Sequence, residues 1–202
     1  MANVDSAFGL RPVGHLQGLD WSDKINWYYV PATDSTAIFQ GDLVTHQGTS
    51  DAAGKFPTVA QAAAGDVDLV GVAVAFRTDP PDSQPVSLAG DNDIPRKEYR
   101  PASKAYYIGV VDDPYVIFEA QEDGNAGIAG IGSAFDVVVG SGSTTTALSG
   151  MEIDSDTSSA TDGQLKVLRA AYTVDGSNDA TAANANWLCI INEHLYKQVQ
   201  AV

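Results

Sequence analysis

Few polar side chains in this sequence stand where they could do chemistry together. Asp112 and Asp113 are adjacent carboxylates, a residue type used in pairs for general acid–base work. They are followed by Pro114 and lie between two apolar runs, residues 106–111 and 115–120. Asp accepts local backbone hydrogen bonds and Pro presets φ, so the triplet has the composition of a reverse turn. Neighbours at such a turn do not converge on one substrate, and the turn accounts for both carboxylates. The three histidines, His15, His46 and His194, are far apart, and none stands at metal-ligand spacing from a second His or from Cys. Glu193 adjoins His194, but on a strand the two point to opposite faces. Cys189 is the single cysteine, which excludes an intrachain disulfide. Its place in the apolar run 187–191 predicts a buried, unreactive thiol.

Two loops imitate binding motifs and depart from them. Residues 127–132 read G-x-x-G-x-G rather than G-x-G-x-x-G, and they lead into a predicted strand instead of a helix N-terminus. Asp154 and Asp156 open like a calcium loop, but its sixth position is Ser159 where Gly is needed. Its twelfth position is Leu165 where Glu is needed, which leaves a solvated turn. No G-x-S-x-G nucleophile motif occurs. The expectation is a protein with no catalytic residues, no metal and no cofactor.

Contact chemistry is better represented. Residues 96–104, RKEYRPASK, hold four of the eleven cationic residues, and Arg96, Lys97 and Arg100 form a basic island suited to an acidic partner. Trp21, Trp27 and Tyr28 could stack on sugar rings if exposed; buried in a core or between subunits, they could not. Overall the chain is acidic, 11 − 26 = −15. That charge repels phosphate backbones and anionic membrane surfaces, so neither nucleic acid nor membrane is an expected partner. The opening MANVDSAFGLRPVG lacks the basic start and the ~7–15-residue apolar core of a secretory leader. No run approaches the ~20 apolar residues of a membrane helix. Synthesis and retention in a reducing cytoplasm is the expectation.

The elements that must position these residues are short apolar runs separated by turn residues, with 19 Gly and 9 Pro among 202 residues. This pattern favours a sandwich or barrel over a helical bundle. Residues 106–111 and 115–120 are rich in Tyr, Val, Ile and Phe and predict a central β-hairpin folded at Asp112-Asp113-Pro114. Residues 27–30 predict a strand ended by Pro31, and Gly41-Asp42 a corner into a barrel strand. Residues 47–56 predict a loop, and residues 59–64 one helical turn stopped by Gly65. Residues 69–76, LVGVAVAF, predict a buried strand with small residues on one face. Residues 77–104 form a long Pro-rich connection, and further strands are expected in 135–139, 147–153, 165–174 and 187–191.

The fold expected is therefore all-β: a β-barrel or β-sandwich of short antiparallel strands with long loops. Residues 1–20 form an extended N-terminal arm with apolar anchors, and residues 21–202 a single β-rich domain with 125–186 as a candidate sub-lobe. The arm has two open placements, along its own domain or on a neighbour.

Four phrases occur in order: ANVDSAFGLRPVGHLQG, VDDPYVIFEAQED, GSGSTTTALSGMEID and WLCIINEHLY. Together they resemble small head proteins of tailed bacteriophages, of the capsid decoration or cement type, over most of the chain. The resemblance implies a virion structural protein on the outer capsid surface, assembled in the host cytoplasm. It would bind across junctions of the major capsid protein and with itself, as a trimer or a dimer, and carry no catalytic residues. The arm corresponds to residues 2–18. Contact candidates are Phe8, Leu10, Arg11 and Pro12 on the arm, with Arg96, Lys97 and Arg100 in the long loop. Burying Phe8 and Leu10 at a seam would stabilise it by about 1.5–3 kcal/mol each. The competing class is a carbohydrate- or receptor-binding β module displayed on a particle.

Overall fold

Strand β1 (Arg11–His15) opens the chain's regular structure, followed by β2 (Ile25–Val30), β3 (Leu43–Ser50), β4 (Pro57–Gln61) and β5 (Leu69–Arg77). Then come β6 (Tyr106–Val111), β7 (Val116–Gln121), β8 (Ala134–Phe135) and β9 (Val137–Gly140). The last are β10 (Gly150–Ile153), β11 (Leu165–Ala170) and β12 (Asn186–Ile191). The computed structural model describes residues 3–22, 24–82, 97–174 and 176–197. The fold is all-β, as the short apolar runs predict; single 3₁₀ turns at Ile128–Gly130 and Leu195–Lys197 are the helical elements among the described residues. Five strands close a barrel in the order β2-β4-β3-β5-β6, five more form a sheet in the order β1-β7-β12-β11-β8, and β9 and β10 make a ribbon. All pairs are antiparallel except β2 with β4.

The predicted central hairpin does not form. β6 pairs with β2 on one side and β5 on the other, closing the barrel, while β7 pairs with β1 and β12 in the sheet. Both edges of β6 are occupied, so β7 has none to add to. Asp112-Asp113-Pro114 is instead the crossing from barrel to sheet. The Asp112 amide still bonds to the Lys24 carbonyl, continuing the β2 pairing, and the Val116 amide then turns back onto the Asp113 carbonyl. Residues 59–64 are also corrected. Their alanines suggest a helical turn, yet residues 57–61 form β4, paired with both β3 and β2. Closing a barrel outweighs a weak local helical preference. Residues 47–50, expected in a loop, extend β3.

Two cores result. Tyr28, Val30, Val44, Val59, Val70, Ala73, Ile108 and Val110 cluster together on barrel strands, with Ile38 joining them. Leu43, Val72 and Val111 belong to the other cluster, with Val116, Phe118, Phe135, Leu165, Trp187 and Cys189. Alternate residues of one barrel wall thus serve both cores, as the period of two along a strand requires. Cys189 is buried within the second core, and burial pushes its thiol up to about 12, so it is an inert packing residue.

β5 departs from the simple two-face reading. Its register shifts against β3 between Val44 and Thr45, and against β6 between Ala73 and Ala75. Each shift is a bulge that moves later side chains to the other face. Val70 and Ala73 therefore share a core although they are three apart. A close backbone approach occurs at Gly71, where a methyl group would run into the carbonyl oxygen of Val111. Neither side of that contact is a side chain able to rotate away. Gly71→Ala should lower stability by about 1–3 kcal/mol, seen as a lower denaturant midpoint. Gly14→Ala, with open space around its added methyl, is the control and should change little. An unchanged midpoint for Gly71→Ala would mean that β5 and β6 are not held this close.

The arm docks on its own domain. Arg11–His15 is the end strand of the sheet, and the Leu10 amide bonds to the Gly41 carbonyl. Residues 125–186 do not stand apart as a unit, because β8 and β11 belong to the same sheet as β1, β7 and β12.

Candidate functional site

The barrel-to-sheet crossing forms one wall of a cavity of about 790 Å³, which Asp112, Asp113, Pro114 and Tyr115 line together with Lys24, Asn26, Trp27, Tyr28, Phe56 and Tyr196. β2 supplies Asn26, Trp27 and Tyr28, and the crossing supplies both carboxylates. Tyr196 comes from the 3₁₀ turn after β12. Asp112 is buried, and Asn26 Nδ2 donates to its Oδ1 and Oδ2 at 2.9 and 3.0 Å. The Tyr28 hydroxyl donates to Asp112 Oδ2 at 2.7 Å. Tyr28 has one hydroxyl proton and it is committed to the carboxylate, so the 2.9 Å contact between the two hydroxyls is a donation from Tyr196 to Tyr28. Burial, with the neighbouring Asp112, pushes the Tyr28 hydroxyl far above the ordinary tyrosine range and keeps it a donor.

Asp113 faces another set of partners. Its Oδ1 accepts from the Tyr115 amide at 2.9 Å and lies 3.4 Å from His15 Nε2; its Oδ2 lies 3.7 Å from Lys24 Nζ. Partial burial opposes its ionisation, but the Tyr115 amide, His15 and Lys24 outweigh burial and hold the carboxyl below its usual range. His15 Nδ1 accepts from the Gln17 amide, which leaves the neutral ring's proton on Nε2, toward Asp113. The two adjacent carboxylates thus bind different partners, as an extended chain directs them, while both border the same cavity.

The contact residues inferred from sequence fall into two groups joined by one segment. Leu10 is fully buried and Phe8 half-buried, with the Arg11 guanidinium 5.1 Å from the Phe8 ring centre. Arg11 stays exposed and pairs with Glu119 at 2.6 Å across β1 and β7; Pro12 sits beside it. Lys97 is exposed, 5.4 Å from the Tyr99 ring centre. Arg96 lies outside the described residues. Arg100 is completely enclosed, so it and Leu10 are not presented to a partner. Both groups bond to residues 38–41: Leu10 to Gly41, and Arg100 to Ile38 in both directions. Phe39 stacks on Tyr99 at 4.9 Å between ring centres.

The three aromatics considered for sugar stacking separate. Tyr28 is buried except toward the cavity at the crossing, the Trp27 ring lies over Gly109 with the Arg77 guanidinium 5.7 Å from its centre, and Trp21 lines a smaller cavity of about 340 Å³ with Arg11, Pro12, Ile25 and Gln40. Sequence reading missed Phe56, Tyr115 and Tyr196, whose convergence depends on strand pairing. The legible signal was Asp112-Asp113 itself, had it been read as a crossing. Among the described residues, no group of three His, Cys, Asp or Glu side chains is placed to hold a metal ion, and no helix is long and apolar enough to cross a membrane. No protein family, curated protein or solved structure matches this chain.

Proposed function

We propose that this protein is a virion structural protein that decorates and reinforces the outer surface of a phage capsid by binding across major capsid protein junctions. The observation that carries the reading is the exposed apolar track at the sheet's end strand. Val13, Leu16 and Leu19 are 42%, 48% and 53% exposed, next to Arg11 and Pro12. Three large apolar side chains left in water along one short segment mark a contact surface more than scattered exposure does. Buried Leu10 and His15 and the bond from the Leu16 amide to the Tyr115 carbonyl anchor the segment, so a partner would meet a pre-ordered surface. Net charge −15 suits an outward-facing protein and opposes a position against packaged DNA. Modest contacts repeated over many copies add by multivalency. The partners are the major capsid protein and other copies of this chain, in a trimer or a dimer.

Removing the whole arm would also remove core residues, so surface substitution is the cleaner test. The intact protein should co-sediment saturably with phage heads stripped of accessory proteins, at a copy number matching the shell's local symmetry axes. Val13→Asp combined with Leu16→Asp should weaken that binding at least about tenfold without altering the circular dichroism spectrum. Failure of the folded protein to bind heads would overturn the reading.

A further inference from the structure

The cavity at the barrel-to-sheet crossing adjoins the proposed capsid contact where the Leu16 amide bonds to the Tyr115 carbonyl, but its chemistry is of another kind. We infer that it is a binding site for a neutral saccharide, formed by Tyr115 and Tyr196 with the polar groups of Lys24, Asp113 and Asn26. Three observations carry this. The first is charge. Each charge in the lining is already engaged: Lys55 with Asp82 at 2.5 Å, Lys24 with Asp113 at 3.7 Å, and Asp112 with Asn26 and Tyr28. An anionic ligand would meet the carboxylates and a cationic one the ammonium groups, whereas a polyhydroxyl ligand can use both.

The second is hydrogen-bond direction. Asp112 takes its donors from Asn26 and Tyr28, and Tyr28 takes its donor from Tyr196. The proton chain runs inward, which leaves the Tyr196 oxygen able only to accept at the cavity. Lys24, whose ammonium stands 3.7 Å from Asp113, can only donate. A sugar hydroxyl is donor and acceptor at once and satisfies both kinds of group. The third is the presence of rings. Tyr115 and Tyr196 are 41% and 55% exposed, and they give an otherwise polar cavity apolar faces for the C–H side of a sugar ring. The volume, about 790 Å³, lies in the range of small-molecule sites.

The test is a printed array of neutral and acidic glycans probed with the intact protein, followed by tryptophan-fluorescence titration of any glycan retained. Neutral glycans should be retained in preference to those bearing carboxylate or sulfate. Tyr115→Ala should weaken the retained glycan about tenfold. Tyr115 is exposed, so its substitution leaves the core intact and the result remains informative. Preference for acidic glycans, absence of any glycan binding, or binding indifferent to Tyr115→Ala would each overturn the inference. None of these outcomes bears on sedimentation with heads, so the two readings fail separately.

Discussion

Arg100→Ala should destabilise the protein by about 3–5 kcal/mol, the cost expected when a buried charged partner is removed from an otherwise complete network. Arg100 is wholly enclosed, and its side chain is saturated by main-chain carbonyls. Nε donates to Lys104 at 2.8 Å, and Nη2 to Pro31 and Asp34 at 2.8 and 2.7 Å; Nη1 donates to Thr36. The Asp34 carboxylate, 3.6 Å from Nη1, balances the charge. One side chain thus closes residues 31–36 onto residues 100–104, beside the two backbone bonds between Ile38 and Arg100. Replacing a buried ion pair with an apolar residue is often harmless because both charges leave together. Here the acceptors are backbone carbonyls that no substitution removes, so Arg100→Met should be nearly as damaging as Arg100→Ala. Arg100→Lys should recover only part, since an ammonium group cannot span the same carbonyls in one plane. Urea denaturation of the three variants checks the order. A loss under about 1 kcal/mol for Arg100→Ala would mean that these carbonyls reach solvent or other donors.

That residue also shows where reading the sequence stops. Arg100 stands in a basic island of an acidic chain, and local composition puts it on the surface. Its true environment is set by carbonyls more than sixty residues earlier in the chain, which no local pattern encodes. The same division holds for the strands. Their existence follows from short β-branched and aromatic runs between turn residues, so the all-β class is legible, as is the buried place of Cys189. Their partners are not. The runs on either side of Asp112-Asp113-Pro114 have the spacing of a hairpin, but β6 is consumed in closing the barrel. The site inherits this blindness, because Tyr115 and Tyr196 border one cavity only through that crossing. Some of it was legible by alternation alone. On β2, Tyr28 and Val30 must share one face and Trp27 the other, so Trp27 and Tyr28 never formed a common stacking platform.

Acidification should expose a second dependence, centred on His194. The ring is fully buried at the barrel-to-sheet junction, where the residue bridges to Leu69 on β5. Its Nδ1 accepts from the Tyr196 amide at 3.1 Å, so the neutral ring carries its proton on Nε2. Burial is the main force holding its pKa down to about 4, and Lys197 adds to it; Asp113 pulls the other way without prevailing. In the unfolded chain the same ring titrates near about 6.5. Between these values the unfolded state binds a proton that the native state refuses, so stability falls as pH drops from about 6.5 toward 4 and is independent of this ring above that window. The gap corresponds to about 3 kcal/mol. Buried and half-buried carboxyls work against the trend: desolvation raises Asp42, Glu122 and Glu152, and these take up protons in the native state earlier than in the unfolded chain. The total pH profile therefore mixes two signs, and the informative quantity is the difference between the natural protein and His194→Gln. The natural protein should lose about 3 kcal/mol relative to the variant across that window, measured by urea midpoints at a series of pH values. A difference that stays flat would mean that His194 takes its proton without leaving the native junction.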